Sequence, residues 1–299
     1  MSARPSVLVF GSVNVDLVMR VSALPISGET VLTDDYQPLP GGKGANQALA
    51  ARRAGADSVF VGAVGDDAHG ILALALLEQD GVDLSYTVKS NRNTGCAVVM
   101  VDEVGCNLIG VASGANQDIQ SDQVADELID QAGVVVLQQE IPIEQNLRLA
   151  QRAQHLNTPV LFNLAPATHV PDALLNHVDW LVVNEVEAAF LASSPRQKDI
   201  THIAEQLADS NHFNVVVTQG PGTVIAVVDA QILTFPAPAI QAVDTTGAGD
   251  TFVGYLAAGI AQGDTGTTHL ERAVVAASRA CIGLGAQTSI PFGDEVNLL

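Results

Sequence analysis

The stretch Asp244-Thr245-Thr246-Gly247-Ala248-Gly249-Asp250 runs directly into an apolar-periodic segment, Thr251 to Gln262. Phe252, Leu256 and Ile260 recur at i, i+4 and i+8 with Val253 and Ala257 alongside. That spacing predicts an amphipathic helix opening just after two glycines. The free N–H groups of its first turn point back into the glycine turn. Unpaired amides with the helix dipole behind them suit a phosphate or another developing anion, and glycine lets that anion approach the backbone. Asp250 stands where such an anion would sit. It reads either as a base that takes a proton while charge moves onto a phosphate, or as a first-turn acid stabilised by the dipole.

Outward from this helix, apolar β-branched runs alternate with helical patterns. Val7 to Phe10, Val59 to Val64, Val134 to Leu137, Val160 to Phe162, Trp180 to Val183 and Val215 to Thr218 read as strands. Helices are expected near 44–54, 68–80, 143–155, 201–210, 248–262 and 270–283. Runs that are continuous rather than alternating imply burial on both faces, hence an α/β three-layer sandwich around a mostly parallel sheet. Ligands of such sheets sit beyond the C-terminal strand ends. Two segments break the pattern. Ser12 to Met19 places Ser12, Asn14 and Asp16 on one strand face and Val13, Val15 and Leu17 on the other. Thr94 to Val111 reads as a hairpin around Asp102-Glu103-Val104-Gly105. Residues of about 12–40 and 94–111 are therefore expected to form a small β-sheet lid on a single domain spanning 1–299.

At 299 residues, 47% hydrophobic and 4% aromatic, the chain can bury roughly three quarters of its unfolded surface. No uninterrupted apolar run reaches the ~18 residues of a membrane span, and Met1 to Pro5 leads into Val7 to Phe10 without a cleavage site. Cys96, Cys106 and Cys281, an odd number without a C-x-x-C pair, fit a reducing compartment and small core positions. A cytoplasmic protein is expected. The formal charge of −20, with only three lysines, argues against nucleic acid, whose affinity rests on basic residues. An anionic nucleotide would have to be held locally, by backbone amides, a few placed cations and a divalent metal.

A second glycine motif, Gly41-Gly42-Lys43-Gly44-Ala45-Asn46-Gln47, also opens a predicted helix. It is not a Walker A loop, because Gly44 follows Lys43 and Gln37 stands at the first glycine position. Nor is a dinucleotide fingerprint completed: Gln47, Ile225 and Phe252 occupy the third glycine positions. Lys43 and Asn46, one helical turn apart, suit a polyhydroxylated ligand, or Lys43 is a solvated residue beside a turn. Glu140 and Asn184-Glu185-Val186-Glu187 follow strands and so reach the ligand edge. Asn184 and Glu187 read as ligands of metal-bound water or phosphate, or as an N-cap with its i+3 partner. Gly65-Asp66-Asp67 reads as plain capping.

Four motifs in order, Asn14-Val15-Asp16, Gly41 to Gln47, Asn184-x-x-Glu187 and Asp244 to Asp250, make the chain resemble the ribokinase branch of the PfkB sugar-kinase family over nearly its whole length. The resemblance implies a parallel α/β domain with a β lid and ATP-dependent phosphorylation of a sugar primary hydroxyl, O5 of D-ribose in that branch. By motif, Asp250 is the base and Gly247, Ala248 and Gly249 the anion hole. Asn14, Asp16, Gly42, Lys43, Asn46 and Glu140 resemble sugar ligands, with Asn14 assigned to the 2-hydroxyl. Asn184, Glu187, Thr218, Gly220 and Gly249 resemble nucleotide and Mg²⁺ positions. Asp244, Thr246, Ala280, Gly283, Gly285 and Ser289 resemble a K⁺ site. A homodimer through lid strands is also implied. Thr218-Gln219-Gly220-Pro221-Gly222-Thr223 departs from the family's T-x-G-x-x-G by placing its second glycine one residue early. A 2-deoxyribose or other sugar or nucleoside kinase, and a silent sugar-binding regulator, are the competing readings.

Overall fold

Val7-Leu8-Val9-Phe10 and Val134 to Leu137 are wholly buried, as strands covered by helices on both faces must be. In the computed structural model, which describes residues 6–194, 199–211, 213–264 and 267–296, they lie in an eight-stranded sheet. Its spatial order is β14 (Gln231–Pro236), β13 (Thr223–Val228), β12 (Asn214–Thr218), β11 (Trp180–Asn184), β10 (Val160–Asn163), β9 (Ala132–Gln138), β1 (Ser6–Phe10) and β4 (Asp57–Val61). From β12 to β4 all neighbours are parallel. β13 and β14 extend the sheet antiparallel; the sequence reading did not assign them. Residues 1–5 lie outside the described residues, so the expectation about Met1 to Pro5 does too.

One expected strand is broken. The 59–64 run leaves the large sheet at Gly62, whose carbonyl accepts from Val88 N–H at 3.0 Å. Beyond it β5 (Ala63–Gly65) pairs in parallel with β6 (Val88–Ser90). A change of hydrogen-bonding partner ended the strand where side-chain pattern could not.

Two apolar layers cover the sheet. On one face pack α1 (Lys43–Arg53), α2 (Ala68–Gln79), α8 (Ala248–Gln262), α9 (Thr268–Ala280) and α10 (Gly293–Val296). On the other lie α3 (Asp126–Gln131), α4 (Ile143–His155), α5 (Asp172–Leu175), α6 (Glu185–Leu191) and α7 (Ile200–Asn211). Phe10, Phe60, Phe162 and Phe252 are among the largest fully buried side chains, each stabilising the fold by about 1.5–3 kcal/mol. The predicted helix 270–283 starts two residues earlier and ends at Ala280.

The approach of α8 to α1 sets the site. A Cβ at Gly254 would lie 2.4 Å from Ala50 Cβ and 2.5 Å from the Gln47 carbonyl. Only glycine allows this crossing, which carries the start of α1 to the start of α8. A smaller sheet has the order β3 (Tyr36–Gly41), β2 (Asn14–Arg20), β7 (Gly95–Val101), β8 (Asn107–Ala112). The predicted hairpin is β7 and β8. Ser12 precedes β2 rather than lying in it.

Candidate active site

Asp250 sits in the first turn of α8 and is 8% exposed. Gly247 caps the helix in the left-handed region at φ 78°. The next two residues run helically, and Gly249 faces open space on the side where a Cβ would project. Both carboxylate oxygens of Asp250 accept side-chain amides across the α1–α8 crossing: Oδ2 from Asn46 at 2.9 Å and Oδ1 from Gln47 at 2.9 Å. Burial pushes the Asp250 pKa up, against the lowering influence of Lys43, Asn46 and Gln47. The carboxylate is thus fixed in direction and strengthened as a proton acceptor. Asn46 Oδ1 is buried with no hydrogen-bond partner, an acceptor left for a hydroxyl.

Glu140, 97 residues away in sequence, closes the start of α1. Its Oε2 accepts from Lys43 N–H at 3.2 Å and from Ser12 Oγ at 2.6 Å, replacing a side-chain cap that Gly42 cannot supply. Gly42 has φ 92°, and a Cβ there would lie 2.6 Å from Val13 Cα. At Gly41 a Cβ would meet Asp16 Oδ2 at 2.4 Å. The two glycines therefore let the loop lie against β2 and the Asp16 carboxylate. Burial, then the charges of Glu140 and Asp250, raise the Asp16 pKa to about 6, with Lys43 opposing. Burial works against the Lys43 ammonium, but Asp250, Glu140, Glu187 and Asp16 outweigh it and raise its pKa. One cation is shared by four carboxylates.

On the other side of Asp250, Asn184 and Glu187 form a complete capping box at the start of α6. Asn184 Oδ1 accepts from Glu187 N–H at 2.9 Å, and Glu187 Oε2 from Asn184 N–H at 2.8 Å. Capping is thus real, and it also holds Glu187 in a cleft of about 150 Å³ with Lys43, Asn163, Thr218, Gly249 and Asp250. Burial raises the Glu187 pKa, with the Asn184 N–H and Lys43 opposing. Thr218 ends β12, and Gly220 follows at φ 54°. The early Gly222 belongs to the tight turn into β13, its N–H donating to Gln219 O at 2.9 Å.

Asp244 joins two loops. Its Oδ1 accepts from Thr246 N–H at 3.0 Å and Thr246 Oγ1 at 2.6 Å, and its Oδ2 from Gly285 N–H at 3.0 Å. Burial opposes ionisation, but these hydrogen bonds hold its pKa below the ordinary carboxylate value. Ser289 Oγ donates to Gly285 O at 2.6 Å. Ala280 ends α9, and Gly283 sits where a Cβ would be 2.8 Å from Ser289 Cβ. A Cβ on Gly247 would lie 2.8 Å from Ala286 Cα. The 280–289 loop thus presses directly on the residue that caps α8. Among the described residues, no cluster of three or more His, Cys, Asp or Glu has the arrangement of a metal site.

A second cleft, about 210 Å³, is lined by Asn14, Asn116, Gln139 and Glu140 among others. A larger cavity of about 470 Å³ around Ser121 and Arg152 lies elsewhere; Arg152 there is engaged by Asp126 and two backbone carbonyls. The sequence reading missed a buried amide chain. Gln138 Nε2 donates to Gln47 Oε1 at 2.8 Å, and Gln47 Nε2 donates to Asn163 Oδ1 at 3.1 Å as well as to Asp250. Gln47 stood inside the quoted motif. Gln138 and Asn163 had a faint signal, amides at the ends of otherwise apolar strands; Asn116 had none.

The fixed Asp250 carboxylate and the first turn of α8 line one cleft with Glu187 and Thr218; Ala248 N–H donates to Thr245 O at 3.3 Å, while Gly249 faces open space. On an α/β fold this arrangement has the chemistry of a phosphotransferase-type site. The pattern described as pfkB family carbohydrate kinase matches residues 4–292, and the chain belongs to this family. It is 36% identical over 297 residues to the ribokinase of Bacillus subtilis (strain 168), covering 98% of this chain and 99% of that one. It is similar to the solved ribokinase of Thermotoga maritima, with a TM-score of 0.90, 30% identity and 98% of each chain covered. The Arabidopsis thaliana ribokinase complexed with ribose and ATP gives a TM-score of 0.89 at 34% identity, covering 99% of this chain and 98% of that one.

Proposed function

We propose that this chain transfers the γ-phosphoryl group of ATP to the O5 hydroxyl of D-ribose, giving D-ribose 5-phosphate. The observation that carries the reading is Asp250, aimed by Asn46 and Gln47 at the start of α8 in the cleft that also holds Lys43, Glu187 and Thr218. Ribose occupies the side of Asn14, Asp16, Gly42, Lys43, Asn46 and Glu140, where the unpartnered Asn46 Oδ1 and the carboxylates accept hydroxyl protons. Asp250 takes the O5 proton as O5 attacks the γ-phosphorus. The Gly247, Ala248 and Gly249 amides donate to the transferring phosphoryl oxygens, and the bond to the leaving ADP oxygen breaks.

Asn184, Glu187, Thr218 and Gly220 hold the nucleotide side. The buried Glu187 carboxylate, facing the cleft beside Asp250, fits an Mg²⁺ held through water, which supplies charge neutralisation on the phosphates. The ionised Asp244, drawn to Gly285 beside Ser289, fits K⁺ held with Thr246, Ala280, Gly283, Gly285 and Ser289. The smaller sheet is a lid, formed by about 12–40 and 94–111 on one domain of residues 1–299. All six residues of β8 are exposed, Leu108, Ile109 and Val111 among them. That face supports a homodimer through lid strands. Cys96 and Cys281 are half-buried and Cys106 is exposed, so none takes the core position expected from sequence; the three free thiols fit action in the cytoplasm, and among the described residues no helix is long and apolar enough to cross a membrane.

Incubation with ATP and ribose, 2-deoxyribose, fructose or a nucleoside, with ADP release and product mass as readouts, tests the reading. The expected result is the highest kcat/KM with ribose. No turnover with any sugar leaves a binding regulator; a preference for 2-deoxyribose makes the chain a deoxyribokinase.

A further inference from the structure

The direction of the Asn14 amide is set from outside the sugar cleft, by Asn116 in the turn Gly114–Asp118. Asn116 is 1% exposed and pairs with both backbone groups of Val13. Its Oδ1 accepts from Val13 N–H at 3.0 Å, and its Nδ2 donates to Val13 O at 3.1 Å. A backbone N–H can only donate and a carbonyl only accept, so the Asn116 amide has a single orientation. Its second N–H then donates to Asn14 Oδ1 at 2.8 Å. Asn14, 3% exposed, cannot reverse without setting its own NH₂ against that donor. Gly95 makes the pairing possible: a Cβ there would lie 2.1 Å from Asn14 Oδ1 and 2.5 Å from Asn116 Nδ2.

We infer that Asn116 is a positioning residue for sugar specificity: it turns Asn14 so that an amide donor, and not the carbonyl, meets the substrate. The inference rests on the ribose reading above. Asp16, two residues on along the same strand face, is an acceptor when ionised. A hydroxyl placed between the two accepts from Asn14 and donates to Asp16, using both capacities of one O–H group. A sugar without that hydroxyl leaves the Asn14 donor unpaired.

The test compares kcat and KM for ribose and 2-deoxyribose in wild type, Asn116→Asp and Gly95→Ala. A carboxylate at position 116 accepts only, so Asn14 reverses to donate to it and shows its carbonyl to the sugar. The single hydroxyl proton then faces two acceptors. Asn116→Asp is expected to raise the ribose KM roughly 10-fold, with kcat within about 3-fold, and to lower the ribose to 2-deoxyribose ratio of kcat/KM roughly 10-fold. Gly95→Ala displaces Asn14 without adding charge and should lower the ratio in the same direction, which keeps the test available if the buried carboxylate of Asn116→Asp prevents folding. An unchanged ratio in a folded variant, or equal loss for both sugars, overturns the inference and leaves Asn116 a purely structural residue. A wild type that phosphorylates neither sugar overturns the ribose reading, and this inference with it.

Discussion

Asp16→Asn should stabilise the protein while disabling it. Burial and the neighbouring Glu140 and Asp250 raise the Asp16 pKa from 3.8 to about 6, so ionising it costs more in the folded chain than in the unfolded one. The sign is that of a raised carboxyl. Between 3.8 and about 6 the native state binds the extra proton, and the contribution is lost as pH rises through about 6. The difference of about 2 pKa units, at 1.36 kcal/mol each, makes the ionised Asp16 destabilising by about 3 kcal/mol at pH 8 and about half that at pH 5. Denaturant unfolding of both proteins from pH 8 to pH 5 measures this directly. Asp16→Asn should be the more stable at pH 8, with the gap narrowing as pH falls. Wild-type ribose kcat/KM should drop as pH falls below about 6, because a protonated Asp16 accepts poorly, and Asp16→Asn should lose ribose affinity throughout. A variant less stable than wild type at pH 8, or a gap that does not change with pH, would refute the electrostatic account.

Asp250→Asn should fold and bind ribose yet lose ~10²- to 10⁴-fold in kcat, the range for a positioned base; near-normal turnover in that variant removes the mechanism. Because the 280–289 loop presses on Gly247, replacing Na⁺ by K⁺ at constant ionic strength should raise activity, and Asp244→Ala should abolish the difference. Equal rates in both salts dispose of the cation site. Hydrogen exchange should slow in residues 12–19 and 94–111 when ribose is added, and no protection in either segment means those strands are not a lid. Asn14→Met should shrink the preference for ribose over 2-deoxyribose, mainly by losing ribose; an unchanged ratio takes Asn14 off the 2-hydroxyl.

Much of the fold was legible because its cause is local. Continuous apolar runs report two-sided burial, and the pattern after Gly249 gave α8 with its observed bounds, Ala248–Gln262, although the helix is buried at every position from Asp250 to Gly259 rather than amphipathic, because α1 and α9 pack against it. The glycines of both motifs marked places where backbone must come close, and Gly42 and Gly247 have the positive φ that calls for them. Capping by Asp67 was readable as well, since its partner Gly70 N–H lies three residues on. The strand break at Gly62 was not, because it depends on Val88, a partner distant in sequence. The same holds for β13 and β14, which exist as sheet because β12 offers them an edge.

The sequence by itself determined which residue types the site contains, the order of its motifs and the layered architecture, since each follows from patterns within a few turns of chain. Only the tertiary structure decided how those residues act. Glu140 caps a helix 97 positions away, Gln47 and Asn46 aim Asp250 across a glycine crossing, and Asn116 fixes the direction of the Asn14 amide. Hydrogen bonding and desolvation depend on neighbours in space, and folding brings those neighbours from segments that carry no mark of one another.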